Sequence, residues 1–445
     1  MNLKLRQWGA TQILAVGFAC MILVGSVFLS LPIASRSGIG IPFLDALFTS
    51  ASATCVTGLV MYDTWTQFSG FGQAVILLLI QIGGLGFMTI AILFSLAVGR
   101  RIGLRERSLL AEAVSSMQLG GVVRLVRRTL IGTAFFESVG AVLLSIRFIP
   151  LFGVRQGIWF AVFHSISAFC NAGFDLMGTL KASSSLTYFV GDPLVVFTIS
   201  ALIIVGGIGF VVWNDLVESR FRFAKLKLHT RAALSATLIL LLAGTVLFLF
   251  LEKDGVFAGM NAGERLLAAF FQSVTPRTAG FNTVDIASLS DGGKLVTMVL
   301  MFIGAAPGGT GGGIKITTLV VLAATVNASL KNRRDVSISH FRLDDETLHR
   351  SFCGVAIYSA LALVGTLTLC AQRQMLTAAA FECLSAIGTV GLSTGITATL
   401  SPLSQVAIIV LMYAGRVGSL TVFLAVSRVD RCGNLRNPIG KIIVG

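Results

Sequence analysis

The chain has 445 residues, of which 55% are hydrophobic and only 12% are charged, and its mean hydropathy is +0.88. Soluble domains carry about 25% charged residues, so this composition excludes a large soluble protein and indicates a polytopic membrane protein. The net charge of +14 does not indicate a nucleic-acid partner, because the basic residues cluster between hydrophobic segments, where membrane proteins carry them in their cytoplasmic loops.

Eight segments are long and apolar enough to cross the hydrocarbon core, which takes about 20 residues. They are predicted near residues 11–31, 72–98, 129–149, 193–217, 232–251, 295–325, 352–371 and 404–427. Between the members of each pair lies a shorter apolar segment, at 42–54, 157–170, 263–275 and 376–388. These segments have about 13 residues, too few to cross, and are therefore predicted to be re-entrant helices.

The same order of elements recurs four times along the chain. We predict an all-α membrane protein of four repeats, each a helix, a re-entrant pore helix, a glycine turn and a second helix, over residues 1–99, 100–218, 219–326 and 327–445. Lys and Arg number 23 in the two ends and the loops between repeats, against 8 on the other side. Both termini, including the tail 428–445, are therefore predicted to be cytoplasmic.

A glycine follows each re-entrant helix, and the four glycines lie 115, 107 and 111 residues apart, at Gly58, Gly173, Gly280 and Gly391. A phenylalanine lies ten residues before each of them, at Phe48, Phe163, Phe270 and Phe381. Four short loops around one axis can replace the water of a cation with backbone carbonyls, and glycine permits the left-handed dihedrals such loops need. One glycine alone would more simply end a helix, but the fourfold recurrence favours an ion filter in a pseudo-fourfold pore.

This arrangement resembles the Trk/Ktr/HKT superfamily of potassium transporters, whose members are single chains of four helix–pore-helix–helix repeats. The resemblance covers essentially the whole chain. Because the chain starts directly with its first repeat, the Ktr membrane subunits are the closer match within the superfamily. The resemblance identifies as ion-binding filter residues Thr54, Cys55, Val56, Thr57, Gly58, Cys170, Asn171, Ala172, Gly173, Arg277, Thr278, Ala279, Gly280, Gly388, Thr389, Val390 and Gly391.

The resemblance also implies a substrate and partners. Glycine rather than serine at Gly58 implies a potassium-type filter, with K⁺ at the four turn glycines and dependence on Na⁺ left open. Each loop keeps only one of the two glycines of the TVGYG pattern of potassium channels, which implies fewer ion sites than such a channel has. The family further implies a homodimer in a prokaryotic plasma membrane, docked on a cytosolic nucleotide-binding ring of the RCK/KTN type that binds ATP or ADP.

The sixth predicted span is interrupted by the run Gly304, Ala305, Ala306, Pro307, Gly308, Gly309, Thr310, Gly311, Gly312 and Gly313. A continuous helix is unfavourable there, because glycine costs about 1 kcal/mol and proline about 3 kcal/mol in a helix interior. Unwound backbone at this depth must line a cavity, so a loop that obstructs the pore is expected, and the family resemblance implies a gate at this position. The alternative is a broken helix that binds substrate. No other repeat carries such an interruption in its sequence.

Two basic residues are predicted to lie at membrane depth near this loop. Arg416 is predicted to hydrogen-bond the loop carbonyls and to present a barrier to cations, the alternative being an ion pair with Glu137 or Glu382. Lys315 either belongs to the gate or extends its ammonium group toward the cytoplasm.

Two charged residues lie close to the glycine turns. Arg277 is expected to tie the third filter loop to the scaffold, most simply through a carboxylate. Asp175, two residues after Gly173, is expected at the outer mouth, where it either concentrates cations or is a solvated surface residue.

Two other classes of function fit the sequence less well. A secondary transporter with substrate at a broken helix typically has inverted or paired repeats, whereas these repeats are parallel and fourfold. An enzyme is not indicated, because no nucleophile motif or metal-ligand cluster is present, and the chain has no nucleotide-binding fingerprint of its own.

Overall fold

A computed structural model describes residues 10–86, 122–333 and 335–418. Within these residues the chain is mostly helical, with one two-stranded hairpin. The helices are α1 Ala10–Ser30, α2 Phe43–Thr54, α3 Thr64–Gln67, α4 Gly70–Leu85, α5 Val122–Phe152, α6 Val154–Phe169, α7 Pro193–Gly207, α8 Phe210–Glu218, α9 Leu228–Leu251, α10 Ala262–Val274, α11 Asp291–Phe302, α12 Ile316–Leu330, α13 Asp345–Ala371, α14 Leu376–Gly388 and α15 Pro402–Val417. The antiparallel hairpin pairs β1 Ser337–Ile338 with β2 Phe341–Arg342.

The first helix of each repeat and the short pore helix after it lie where the hydropathy pattern predicts them. Helices α1, α5, α9 and α13 are each long and apolar enough to cross a membrane. Helices α2, α6, α10 and α14 correspond to the four predicted re-entrant segments. Local signals begin several helices: the Asp344 side chain caps α13, and Asn261 forms a capping box with Glu264 at the start of α10.

The second helices differ from the eight-span prediction. The predicted fourth span is two helices, α7 and α8, which meet at 90° around Gly209. The sixth is α11 and α12 with a long loop between them. Helices α4 and α15 end at Gly86 and Gly418, both with positive φ, and the remainders of the predicted second and eighth spans lie outside the described residues. The expectation that only the sixth span is interrupted is therefore wrong, because α7–α8 is also broken.

In the first three repeats a glycine of the first helix lets the pore helix approach closely. A Cβ on these glycines would overlap a pore-helix serine hydroxyl; the pairs are Gly25 with Ser50, Gly140 with Ser165 and Gly244 with Ser273. Each serine also donates to a carbonyl three residues before that glycine, at 2.7 Å to Ile22, 2.6 Å to Glu137 and 2.8 Å to Leu241. The fourth repeat pairs Gly365 with Cys383, whose Sγ would lie 3.2 Å from a Cβ. This repeated contact fixes how deeply each pore helix is inserted.

The third pore helix is displaced by one residue relative to the others. Phe48, Phe163 and Phe381 are fully buried ten residues before their glycines, but in the third repeat the fully buried residue is Phe271, nine before Gly280. Phe270, which the sequence spacing matched, is only partly buried and packs against Phe197. The third turn is therefore one residue shorter than the other three.

Candidate functional site

The four glycine turns share the same two left-handed backbone positions despite their different sequences. The turn glycines have φ of 94° at Gly58, 69° at Gly173, 82° at Gly280 and 91° at Gly391. Two residues earlier each turn has a second left-handed residue, and these are Val56, Asn171, Thr278 and Thr389 with φ of 57°, 58°, 78° and 51°. Left-handed β-branched residues are genuine outliers in folded proteins. Their occurrence at three of the four equivalent positions indicates that the turns are held by their neighbours.

Each turn glycine packs against the turn of the next repeat, and the fourth packs against the first. A Cβ built on Gly58 would lie 2.5 Å from the carbonyl oxygen of Ala172, and one on Gly173 would lie 2.6 Å from that of Ala279. The contact is closer still from Gly280 to Val390 and from Gly391 to Thr57. The four turns therefore form a closed ring in the order of the repeats, and any side chain at these glycines would displace a carbonyl of the ring.

The carbonyl oxygens that make this contact belong to Thr57, Ala172, Ala279 and Val390, one in each turn. All four residues are fully buried. None of the four oxygens accepts a hydrogen bond within the described part of the chain. Buried carbonyls are rarely left unpaired because the loss of hydration costs free energy. A ring of four such oxygens is an arrangement that a dehydrated cation can satisfy.

A hydroxyl group near the end of each pore helix supports the turn that follows. Ser52 and Ser385 accept the N–H groups of Gly58 and Gly391, both at 3.0 Å. Ser167 donates to the carbonyl of Phe174 at 2.7 Å, and Thr275 donates to that of Phe281 at 2.6 Å. These bonds fix the turn to a rigid helix. Sequence spacing did not identify this hydroxyl, although a Ser or Thr five or six residues before each glycine was a visible signal.

The remaining predicted filter residues lie in or directly behind the ring. Cys55 and Cys170 are buried, and the Cys170 thiol lies 3.5 Å from Gln81 on α4. The Asn171 side chain lies 3.0 Å from the Thr278 hydroxyl and joins the second turn to the third. The hydroxyls of Thr54 and Thr57 are buried without a partner among the described residues.

On one side the ring opens into a cavity of about 240 Å³ that all four turn glycines line. Asp63, Asp175 and Asp285 also line it. The Asp175 carboxylate accepts the N–H of Met177 at 2.9 Å. Burial raises the pKa of Asp175 to about 7, and the nearby Asp63 carboxylate contributes to the increase. Asp175 is thus at the mouth, as predicted, and it is hydrogen-bonded rather than a freely solvated surface residue.

On the other side of the ring lies the loop between α11 and α12, residues 303–315, called the gating loop after the role that the sequence predicts for it. Its ends are tied together: the N–H of Gly304 donates to Ile314 at 2.8 Å, and that of Ile316 donates to Ala305 at 3.1 Å. A Cβ on Gly304 would overlap the backbone of Gly312 and Ile314. The predicted unwound segment is therefore a compact closed loop.

The gating loop contacts the other turns. The Thr310 hydroxyl donates to Phe169 at the end of the second pore helix, at 3.1 Å. Gly311 is so close to the Thr278 hydroxyl that a Cβ there would overlap it. The N–H of Gly312 donates to the hydroxyl of Thr389 in the fourth turn, at 3.0 Å. The loop therefore lies directly beneath the second, third and fourth turns.

Arg416 connects the gating loop to the first repeat. Its guanidinium donates to the carbonyl of Thr310 and to those of Gly83 and Gly84, the last at 2.9 Å. The predicted contact with loop carbonyls is confirmed. The alternative ion pair is wrong, because Glu137 bonds Gln81 at 3.2 Å and Glu382 bonds Thr397.

Lys315 closes the loop on itself. Its ammonium group donates to the carbonyls of Gly311 at 2.8 Å and Gly312 at 3.3 Å. The alternative in which it extends away toward the cytoplasm is therefore wrong, because the open carbonyls of the glycine run lie within reach of the side chain.

The expected carboxylate partner of Arg277 is not found among the described residues. The guanidinium donates instead to the hydroxyl of Thr237 on α9, at 3.2 Å, and its Nε has no partner in the part of the chain that the structure describes. Arg277 does tie the third turn to the scaffold, but through a neutral hydroxyl on the first helix of its own repeat.

The glycine clusters of the second helices allow close contact with the pore helices. A Cβ on Gly83, Gly206 or Gly415 would overlap the last carbonyls of the pore helices, those of Thr54, Phe169 and Ile387. Gly304, the corresponding glycine of the third repeat, contacts its own gating loop instead. No group of three His, Cys, Asp or Glu residues that could hold a metal ion occurs in residues 10–86, 122–333 and 335–418.

Comparisons with known proteins agree with this geometry. Residues 18–432 match the family described as TrkH, cation transport protein. The chain is 40% identical to the Ktr system potassium uptake protein B of Bacillus subtilis, over 98% of this chain and 96% of that protein. It is 41% identical to the potassium/sodium uptake protein NtpJ of Enterococcus hirae, over 98% and 97% of the two chains.

Among solved structures, the fold matches the potassium transporter TrkH from Vibrio parahaemolyticus with a TM-score of 0.75. The match covers 96% of this chain and 86% of that one, at 17% identity. With the family match and two near-full-length relatives at 40% identity or more, these findings show that the chain belongs to the TrkH family of cation transport proteins.

Proposed function

We propose that this chain is the potassium-translocating membrane subunit of a Ktr-type uptake system, with a channel-like pore along the axis of the glycine ring. The names of its relatives support potassium as the substrate. The single observation that carries the proposal is the ring of four buried carbonyl oxygens, from Thr57, Ala172, Ala279 and Val390, which have no hydrogen-bond donor among the described residues.

The chemistry of this ring suits a weakly hydrated monovalent cation. Backbone carbonyls replace the hydration shell without introducing a full negative charge that would hold the ion too tightly. The four pore helices end at the turns, so their C-terminal partial negative charges add to the attraction. Because each turn has one glycine, we propose a single main cation site, with Na⁺ as a competitor or co-substrate; the name of the Enterococcus relative includes sodium.

The gating loop is proposed to block the pore in the conformation described. It lies beneath three of the four turns, and Arg416 and Lys315 place two cationic groups among its carbonyls. A fixed positive charge on the path raises the energy of a passing cation in a medium of low dielectric. Opening then requires the loop to move and Arg416 to release Thr310.

Two relatives are named as proteins of a Ktr system, which supports partner proteins for this chain. From the family resemblance we propose a homodimer docked on a cytosolic nucleotide-binding ring in a bacterial plasma membrane. Both termini are proposed to face the cytoplasm because the loops between repeats carry most of the basic residues.

A secondary transporter with substrate at a broken helix is the second candidate. The 90° break between α7 and α8 favours it, since such transporters bind substrate at discontinuous helices. The closed ring of four equivalent turns favours the pore, because substrate sites at broken helices need no fourfold symmetry.

Complementation tests the proposal directly. A cell deficient in potassium uptake is transformed with the wild type, with Gly58→Ser or with Gly395→Ser. Gly395 is the matched control, because its φ of 99° is also left-handed but a Cβ there would meet nothing within 4 Å. We expect growth on low potassium with the wild type and the control, and loss of growth or of discrimination against Na⁺ with Gly58→Ser. Equal growth of all three strains would contradict the proposed filter.

A further inference from the structure

The last residues of α8 and the loop that follows it, residues 217–227, carry exposed aromatic and basic side chains in alternation. Phe221 is 75% exposed, and Phe223 and Val217 are each 58% exposed. Between and beside them are four exposed basic residues, which are Arg220, Arg222, Lys225 and Lys227. None of these four forms an ion pair within the described ranges. This basic–aromatic segment lies on the side that the distribution of Lys and Arg marks as cytoplasmic.

The segment has a defined conformation. Arg231 on α9 donates to the carbonyl of Ala224 at 2.6 Å, and the N–H of Lys227 donates to the buried carboxylate of Asp215 at 2.9 Å. Arg220 and Phe221 have φ of 53° and 57°, a left-handed conformation that is unusual for such large side chains. Backbone strain of this kind persists only where surrounding contacts impose it. In this conformation the side chains of Phe221 and Phe223 both project from the surface.

The surroundings of the segment identify the medium that covers it. The helices on either side, α5 and α9, expose large apolar side chains such as Ile131, Phe135 and Leu238 at 61%, 60% and 57%. A helix face of this composition in a membrane protein faces lipid. Phenylalanine beside lysine and arginine at the edge of such a face matches the boundary between acyl chains and headgroups.

The basic–aromatic segment continues α8, and the first residue of α8 contacts the gating loop. Its helix, α8, begins at Phe210, whose N–H donates to the carbonyl of Gly308 at 2.9 Å. The preceding residue, Gly209, has φ of 94°, and a Cβ there would lie 2.5 Å from the carbonyl of Pro307. The N–H of Ala306 donates to Gly207 at 3.0 Å. A displacement of α8 would therefore reach the gating loop through backbone contacts.

We propose that the basic–aromatic segment binds the headgroups of anionic phospholipids, with Phe221 and Phe223 inserted at the acyl boundary, and that α8 transmits this binding to the gating loop. The transmission step rests on the proposed gating function, whereas the lipid site does not. The four basic side chains, which form no ion pair among the described residues, attract the lipid phosphates, and the two phenylalanine side chains supply apolar contact. Zwitterionic lipid offers no net charge and binds the segment weakly.

Lipid retention tests the site. The full chain is reconstituted in phosphatidylcholine vesicles with phosphatidylglycerol added, purified, and its retained lipids are measured by native mass spectrometry. Each basic residue near an anionic surface contributes about 1 kcal/mol, so Arg222→Gln with Lys225→Gln is expected to weaken phosphatidylglycerol retention roughly 25-fold. Phe221→Ser with Phe223→Ser is expected to weaken retention of both lipids at this site.

The matched control is Lys331→Gln with Arg333→Gln, which removes two exposed charges from the same predicted side. It is expected to retain phosphatidylglycerol as the wild type does. Unchanged retention in the 222/225 variant would overturn the lipid site, and it is also the result expected if the segment docks a soluble protein instead. An equal loss of phosphatidylglycerol retention in the control variant would also overturn the lipid site, because the lipid would then respond only to the overall charge of the protein.

Flux tests the transmission step. Rubidium flux through the wild type is expected to differ between vesicles with and without phosphatidylglycerol, and this dependence is expected to disappear in the 222/225 variant. If the 222/225 variant loses phosphatidylglycerol retention but its rubidium flux still depends on the lipid as in the wild type, the link to the gating loop is overturned. A wild type without flux in either lipid would be a failure of the proposed transport function, and the retention results would still decide the lipid site.

Discussion

The four glycine turns are nearly equivalent to one another, whereas the four second helices are not. Every turn has the same two left-handed positions and the same contact with its neighbour. Among the second helices, three bring a glycine against the end of their own pore helix, but in the third repeat the corresponding Gly304 contacts its own loop. The proposed cation site needs oxygens on all sides, which symmetric turns can supply. The proposed block of the axis needs one loop only, and the asymmetric second helices leave room for it.

Breaking the equivalence of the turns is expected to have the largest effect. Gly391→Ala would place a Cβ against the carbonyl of Thr57 and 2.9 Å from the Cα of Gly58. Because the carbonyls of the ring must stay in register to replace water, we expect potassium uptake to fall by more than about tenfold. Gly395→Ala is the control: it carries the same left-handed strain, about 1–2 kcal/mol, with open space around its Cβ. Similar losses of uptake in both variants would show that strain rather than ring geometry is responsible.

The second-largest effect is expected from removing the charge of Arg416, which bonds the gating loop. Arg416→Gln is expected to raise background cation leak roughly tenfold, since it removes a barrier of about 1–2 kcal/mol and the bonds to Thr310, Gly83 and Gly84. Leak is measured as rubidium efflux from vesicles. Arg416→Lys separates the two causes, because it keeps the charge but loses the planar donor geometry. A leak that matches the wild type in both variants would rule out Arg416 as part of the gate.

A smaller effect is expected where the loop meets the second repeat. In Gly206→Ala the new Cβ would overlap the carbonyl of Phe169 and approach the Thr310 hydroxyl to 3.0 Å. We expect a loss of stability of about 1–3 kcal/mol together with increased leak. Gly207→Ala is the neighbouring control, because its Cβ would meet only the Asn171 side chain, at 3.2 Å, and the Ala305 Cβ, at 3.8 Å. Thermal unfolding measures the loss of stability, and rubidium efflux measures the leak. The same results for Gly206→Ala and Gly207→Ala would show that the contact of Gly206 with Phe169 and Thr310 is not responsible.

The smallest effect is expected at the outer mouth. Because the pKa of Asp175 is raised to about 7, its carboxylate is mainly protonated below that pH and charged above it. The local concentration of cations should then rise with pH, so the KM for potassium should fall as pH increases through about 7, and Asp175→Asn should remove this step. Uptake at low potassium, measured across the pH range in both proteins, provides the test. A step that persists in Asp175→Asn would assign it to another group.

The sequence alone predicted the features that recur. Four short apolar segments before Gly58, Gly173, Gly280 and Gly391 located the pore helices within a few residues, because hydrophobic length and glycine position are local properties. The spacing of Phe270 was misleading, since the third turn is one residue shorter and Phe271 is the buried residue. Spacing counts residues, whereas packing depends on which face of the helix meets the core.

Contacts between repeats could not be predicted in the same way. Arg277 was expected to find a carboxylate, yet it bonds Thr237, forty residues away on a helix whose orientation no local pattern fixes. The break at Gly209 was also missed, because the apolar segment 193–217 was predicted as one continuous span. Its cause is the gating loop, which bonds the backbone at Gly206, Gly207 and Phe210.

The central claim is that four carbonyl oxygens from four repeats form one cation site. The most direct measurement is the anomalous diffraction of crystals grown with rubidium or thallium in place of potassium. We predict a peak on the axis of the ring, between the carbonyl oxygens of Thr57, Ala172, Ala279 and Val390, and its loss in Gly391→Ala but not in Gly395→Ala. Well-ordered turns with no peak on that axis, or a peak only at the break between α7 and α8, would contradict the claim.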